Sequence, residues 1–191
     1  MKNKVKSIAK DYLERHINTA SQINLAEIDK GIELIVNALN KGNQILTMGN
    51  GGSATTASHY ITDWNKGISY QKKKRLKCIC LNDNVPTIMA YSNDVSYEVI
   101  FIEQLKNLMM PGDLVIGISG SGNSTNIIKA IEYANENGSI TLGICGYDGG
   151  KLKKIAQHSV WINVNDMQIV EDLHLAFGHI VMQTLCDYNN Q

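Results

Sequence analysis

Five short apolar runs, each followed by apolar residues at helical spacing, constrain this chain more than any other feature. The runs are QILTM (44–48), LKCICL (76–81), DLVIGIS (113–119), SITLGIC (139–145) and SVWINV (159–164). The spacing predicts helices over Ser53–Lys66, 86–94, 97–109, Asn123–Asn137, 151–158 and Met167–Tyr188. Strand–helix alternation with short turns means a doubly wound parallel sheet of five strands, with helices on both faces. Two more helical patterns, Val5–Gln22 and Leu25–Lys41, precede the first strand. They read as an N-terminal arm, residues 1–42, packing on the sheet or on another subunit. The α/β core is then 43–191. With only Pro86 and Pro111, and no linker-like stretch, the 191 residues form one domain.

Acidic and basic residues balance at 18 each. That balance, without a basic stripe, argues against nucleic acid as the main partner. The one basic cluster, QKKKRLK (71–77), reads as the solvated lead-in to a strand rather than a phosphate patch. The N-terminus lacks the apolar core of a signal peptide, and no run approaches the ~20 apolar residues of a membrane span. A cytoplasmic protein without a membrane partner is expected. Cys78, Cys80, Cys145 and Cys186 lie in apolar segments and read as buried free thiols, Cys78 and Cys80 sharing a strand face.

GNGGS (49–53) follows the first strand, and SGSGNS (119–124) closes the third. Both leave the carboxyl end of a strand and open a helix, where doubly wound sheets bind ligands. Free N–H groups and the positive end of the helix dipole favour an anion there. Ser119, Ser121 and Ser124 add hydroxyls. Neither loop has the lysine of a Walker A, and neither fits the dinucleotide fingerprint. One such loop alone would be a turn with a serine helix cap. Two in equivalent places favour a phosphate ester, and a sugar monophosphate suits hydroxyl and amide donors.

His59 and Asp63 are four apart on the helix that leaves the first loop, so they share a face. The closing helix carries Glu171, Asp172, His174 and His179 among apolar residues. A lone histidine on such a helix is usually a hydrogen-bonded core residue, but several ionisable groups are costly to bury without partners. His, Asp and Glu together suit zinc. Glu171 and His179 are two turns apart, roughly 12 Å along one axis. That is far for one ion unless the helix is irregular or two subunits contribute.

The segments GNGGSATTASH (49–59), YSND (91–94), LVIGISGSGNS (114–124) and VEDLHLAFGH (170–179), in this order and spacing, resemble the sugar isomerase (SIS) domain family, and within it the phosphoheptose isomerase branch. The resemblance covers almost the whole chain. It implies a flavodoxin-like SIS fold and a cytoplasmic homotetramer with active sites between subunits. It implies conversion of sedoheptulose 7-phosphate to D-glycero-D-manno-heptose 7-phosphate, toward the heptose of bacterial surface polysaccharide. Substrate and phosphate contacts would fall on Asn50, Gly51, Gly52, Ser53, Asp94, Ser119, Gly120, Ser121 and Ser124. One zinc per site would be held by His59, Asp63, Glu171 and His179, with Asp63 or Glu171 as base and His179 as acid. The chain departs from the family's pattern at Asp63, usually glutamate; at Glu171, usually glutamine; and at Gly120, often threonine. Some family members instead form tetrameric scaffolds that bind the replication initiator protein. Such a scaffold has no need of His59, Asp63, Glu171 and His179 together. An isomerase of another phosphosugar is the third reading.

Overall fold

A computed structural model describes residues 2–188. In chain order the elements are α1 (Lys2–Ala20), α2 (Leu25–Lys41), β1 (Gln44–Gly49), α3 (Gly52–Thr62), β2 (Lys77–Cys80), α4 (Val85–Asp94), α5 (Ile102–Leu108), β3 (Leu114–Ser119), α6 (Thr125–Glu136), β4 (Ile140–Cys145), α7 (Gly150–Ile155), β5 (His158–Trp161) and α8 (Met167–Tyr188). The strands pair in parallel in the order β2-β1-β3-β4-β5. The chain steps from β1 outward to β2, then crosses back to β3 on the other side. The connections after β1 and β3 therefore diverge and leave a crevice at the carboxyl end of the sheet.

Alternate strand residues feed two cores. Ile45, Leu114, Ile116, Ile118, Leu142 and Ile144 pack against α2, α3 and α8. Leu46, Met48 and Val115 pack on the opposite face against α5 and α6. Both faces being covered is why the strands read as continuous apolar runs. The thiols of Cys78, Cys80 and Cys145 are buried within these layers, and burial pushes Cys78 and Cys145 up to about 12 and Cys80 up to about 11. Cys186 is half-buried, and all four are free.

The two N-terminal helices differ in how they dock. Helix α2 is capped by the Asn24 side chain on the Ala26 N–H and stopped by Gly42 at φ 74°. It buries Ile28, Leu34, Ile35 and Leu39 against the sheet. Helix α1 touches α8 through Tyr12–Asp172, and the residue before α8 through the Arg15–Asp166 ion pair. It leaves Val5, Ile8, Leu13 and Ile17 more than half exposed. Only α1 is thus an arm. The basic stretch 71–77 lies at the far end of the sheet from the crevice, where Lys74 donates to the Asn40 side chain and Lys77 to the Gly42 carbonyl. These cations sit at the negative end of α2. Among the described residues, no helix is long and apolar enough to cross a membrane.

Several boundaries differ from the sequence expectation. The helix predicted to Lys66 is α-helical to Thr62 and widens into a π turn over Asp63–Ile68. The segment 97–109 breaks into a 3₁₀ turn, Tyr97–Val99, and the shorter α5. The helix predicted over 151–158 stops at Ile155, because His158 pairs with Leu142 and opens β5.

His174 of α8 is buried in the core at 1% exposure, with neither ring nitrogen hydrogen-bonded. Burial lowers its pKa from 6.5 to about 4, so the ring is neutral in the folded protein. Unfolding lets it take up a proton, so its contribution to stability is full above pH 6.5 and is lost as pH falls toward 4. Chemical denaturation between those limits should show stability falling with acid, and His174→Leu should flatten the slope. An unchanged slope in the variant would assign the acid sensitivity to other groups.

Candidate active site

The crevice is walled by the two glycine–serine loops. Gly51 adopts φ 54°, ψ −122°, a turn that glycine alone takes easily, and α3 starts at Gly52. Ser53 is buried, its N–H bonded to the Asn50 carbonyl at 3.0 Å. The side-chain amides of Asn50 and Asn126 exchange reciprocal hydrogen bonds of 2.9 Å, and the Tyr97 hydroxyl donates to Asn50 Oδ1 at 2.8 Å. This amide pair bolts the first loop to the helix that follows the second. In the second loop, the Ser119 and Ser124 hydroxyls meet at 3.0 Å, and Ser121 Oγ accepts from the Asn123 N–H. Ser124 occupies the N-cap of α6 but its side chain makes no cap bond, so the plain helix-cap reading fails at this serine. At Gly120 a Cβ would meet only ordinary contacts at 3.8 Å from Tyr147 and Val170, so this wall has room that a larger residue would fill.

At the other end of α3, His59, Asp63 and His179 converge. His59 Nε2 lies 3.2 Å from His179 Nε2 and 3.3 Å from Asp63 Oδ2, which is 3.7 Å from His179 Nε2. A tetrahedral zinc with bonds near 2.0–2.1 Å separates its donor atoms by about 3.3–3.4 Å. The three groups therefore fit a zinc with its fourth position open. The cluster faces outward, its side chains 45%, 20% and 48% exposed.

Glu171 is not in this group. Its carboxylate lies over the start of α3, where a Cβ on Gly52 would fall 2.5 Å from Glu171 Oε1. Gly52 is small because Glu171 occupies the space. Seven residues of helix, about 10 Å, separate Gly52 from His59. Asp94 ends α4, exposed, with its carboxylate bonded to the Asn93 amide at 2.7 Å, and no bond ties it to either loop. The sequence reading missed Asn126 and Tyr97. It also missed Tyr147, Asp148, Asn163 and Asn165, which with Ser121 and Asn123 line a cavity of about 550 Å³. The glycine turn GYDGG after β4 was the signal for that wall. Tyr147 there holds φ 48°, unusual for a non-glycine residue.

Paired glycine–serine loops at the switch point of a parallel sheet are the SIS arrangement. Residues 10–146 match the SIS domain family, and the chain belongs to that family. Its relatives place it with the phosphoheptose isomerases. The phosphoheptose isomerase of Aliarcobacter butzleri is 34% identical over 181 residues, 94% of this chain and 95% of its own length. The probable phosphoheptose isomerase of Thermoplasma volcanium is 36% identical over 178 residues, 93% of this chain and 90% of its own. Among solved structures, the phosphoheptose isomerase of Neisseria gonorrhoeae superposes with a TM-score of 0.86 at 25% identity, covering 94% of this chain and 97% of that one.

If the serine loop holds a phosphate, replacing both Ser121 and Ser124 by alanine removes two bonds to a charged group. Each is worth about 1.5–3 kcal/mol, so KM for a sugar phosphate should rise by roughly 100-fold or more. Calorimetric binding at wild-type strength would reduce the loop to a turn.

Proposed function

We propose that the protein interconverts sedoheptulose 7-phosphate and D-glycero-D-manno-heptose 7-phosphate, as a zinc-dependent cytoplasmic homotetramer. The observation that carries this reading is the two-ended site along α3, with a hydroxyl- and amide-lined anion cradle at one end and a metal-fitting triad at the other. The distance between them suits an open seven-carbon chain whose phosphate and carbonyl lie at opposite ends. The names of the relatives support the same substrate.

Ketose–aldose isomerisation needs a base for a carbon-bound proton and an acid for the carbonyl oxygen, each worth roughly 10²–10⁴ in rate. Zinc in the triad would supply Lewis-acid polarisation of a carbonyl. A nitrogen that holds a metal cannot also carry a proton at that atom, so we read His59, Asp63 and His179 as ligands first. Asp63 is then the carboxylate beside a carbonyl held at the triad, and Glu171, over Gly52 about 10 Å from His59, is the base only where the reacting carbons lie at the cradle end. The serine loop, with Asn50, fixes the phosphate end and sets the reacting carbons in register. The outward-facing triad supports a tetramer with the site between subunits. Ile180, next to His179, is 40% exposed and lies where a neighbouring subunit would exclude water.

The test is an assay against a panel of ketose phosphates, with and without chelator, on wild type, Glu171→Gln and Asp63→Asn. Sedoheptulose 7-phosphate should be the preferred substrate, and chelation should abolish turnover. Glu171→Gln should keep zinc by elemental analysis, and loss of most of its kcat would make Glu171 the base, while Asp63→Asn loses metal and activity together. Full activity in Glu171→Gln moves the base to Asp63. Turnover indifferent to chelator ends the metal assignment, and sedimentation as a 21.1 kDa monomer ends the inter-subunit site. A non-catalytic scaffold would turn over none of the panel.

A further inference from the structure

We propose that Asn65, with Trp64 and Ser69, is a positioning residue that holds the backbone of Asp63 where its short carboxylate meets the two histidines. The inference rests on the reading of His59, Asp63 and His179 as a metal site.

Asp63 is the first residue of the π turn Asp63–Ile68. Such turns are rare and gather at functional sites. Side chains tie this one down at three points. The Asn65 amide donates to the Cys78 carbonyl at 2.9 Å and accepts from the Cys78 N–H at 3.1 Å. Cys78 lies on β2, an outer strand of the sheet. Asn65 therefore satisfies both backbone groups of one edge residue, as a neighbouring strand would. The Ser69 hydroxyl, 2% exposed, donates to the Trp64 carbonyl at 3.0 Å and accepts from the Leu76 N–H at 3.1 Å.

The third point is α8. Trp64 is fully buried, stacks on Tyr60 at 4.8 Å, and donates Nε1–H to the Gly178 carbonyl at 3.2 Å. The Tyr60 hydroxyl donates to the His174 carbonyl. Two aromatic residues four apart thus grip two carbonyls four apart. His59 and Asp63 each precede a gripping residue, and His179 follows Gly178, so the grip sets the register of the triad. Gly178 leaves room for it, since a Cβ there would lie 2.2 Å from Tyr60 Cε1.

The short side chain makes the anchoring matter. Aspartate has one rotatable bond fewer than glutamate, so it has less slack to absorb a backbone shift. A metal site needs its ligands held within about 0.5 Å. A π turn released from β2 would move Asp63, while the phosphate cradle, on the loops at the opposite end of α3, would stay in place.

The test compares wild type with Asn65→Ala in the full-length protein. It combines a zinc titration against a competing chelator, circular dichroism, and kcat and KM for sedoheptulose 7-phosphate. Outer supports of this kind are worth 10–100-fold in metal affinity. Asn65→Ala should therefore bind zinc 10–100-fold more weakly, with a wild-type spectrum, unchanged KM and lowered kcat at limiting zinc. Trp64→Phe keeps the ring stack but loses the bond to Gly178, so it should shift zinc affinity in the same direction, and it serves if Asn65→Ala does not fold. Wild-type zinc affinity in the folded variants overturns the proposal and leaves the metal reading intact. A parallel loss of zinc and substrate binding also overturns it, since the residues would then be general scaffold. If wild type itself binds no zinc, the metal reading fails first and takes this inference with it.

Discussion

The contact between α3 and α8 is the constraint on which the site depends. Glu171 meets Gly52 and His179 meets His59, so the two helices run side by side in the same direction, each from the loop end toward the triad. Helix α3 therefore offers its two poles to two kinds of charge. Its N-terminus opens at the glycine–serine loops, where the dipole favours an anion, and its carboxyl end approaches the triad that could hold a metal. Helix α8 supplies one ionisable residue to each pole. Separating Glu171 from Asp63 by most of the length of α3 spares two carboxylates from crowding one ion, which a four-ligand arrangement with both would have imposed.

The sheet sets where those helices begin. Because β1 pairs with β3 on one side and β2 on the other, GNGGS and SGSGNS face each other across the switch point. The Asn50–Asn126 amide pair then makes them one structure. An amide pair is suited to this: each side chain has both a donor and an acceptor, so two residues satisfy one another with no charge left to compete with a phosphate.

What was legible in the sequence follows the range of the interactions involved. The alternation of apolar runs with helical spacing is local, and it carried the strand count, the parallel sheet and both glycine–serine loops. The i, i+4 relation of His59 and Asp63 is also local. Distance along a single helix left Glu171 and His179 on one ion only if the helix was irregular or two subunits contributed, and within one subunit Glu171 lies over Gly52 instead of in the triad. The π turn was not legible, because 3.6-residue spacing over 53–66 looks continuous. The widened turn is tied to β2 by a pair of bonds from Asn65 to Cys78, thirteen residues away, which a local pattern does not show. Asn126 was hidden for a similar reason: it lies just past the serine loop and reads as an ordinary first-turn helix residue until Asn50 is placed beside it. A lone histidine on an apolar helix is usually hydrogen-bonded in the core; His174 is in the core with neither ring nitrogen paired.

The departures at positions 63 and 171 make physical sense as a pair. Shortening the residue at 63 withdraws its carboxylate toward its own helix, where it meets His59 and His179 but reaches less far along α3. A glutamine at 171 would present an amide that neither accepts a proton from carbon nor carries charge at neutral pH. Glutamate there places a carboxylate at the positive pole of α3, and Gly52 is the neighbour that leaves room for it. The cost of the shorter Asp63 is tolerance. A short carboxylate is best carried by a backbone that does not wander, and the amide of Asn65 on the edge of β2, the indole of Trp64 on α8 and the hydroxyl of Ser69 at the end of the turn hold it from three directions. The π turn thus ties the backbone that carries Asp63 to β2 and to α8 at once.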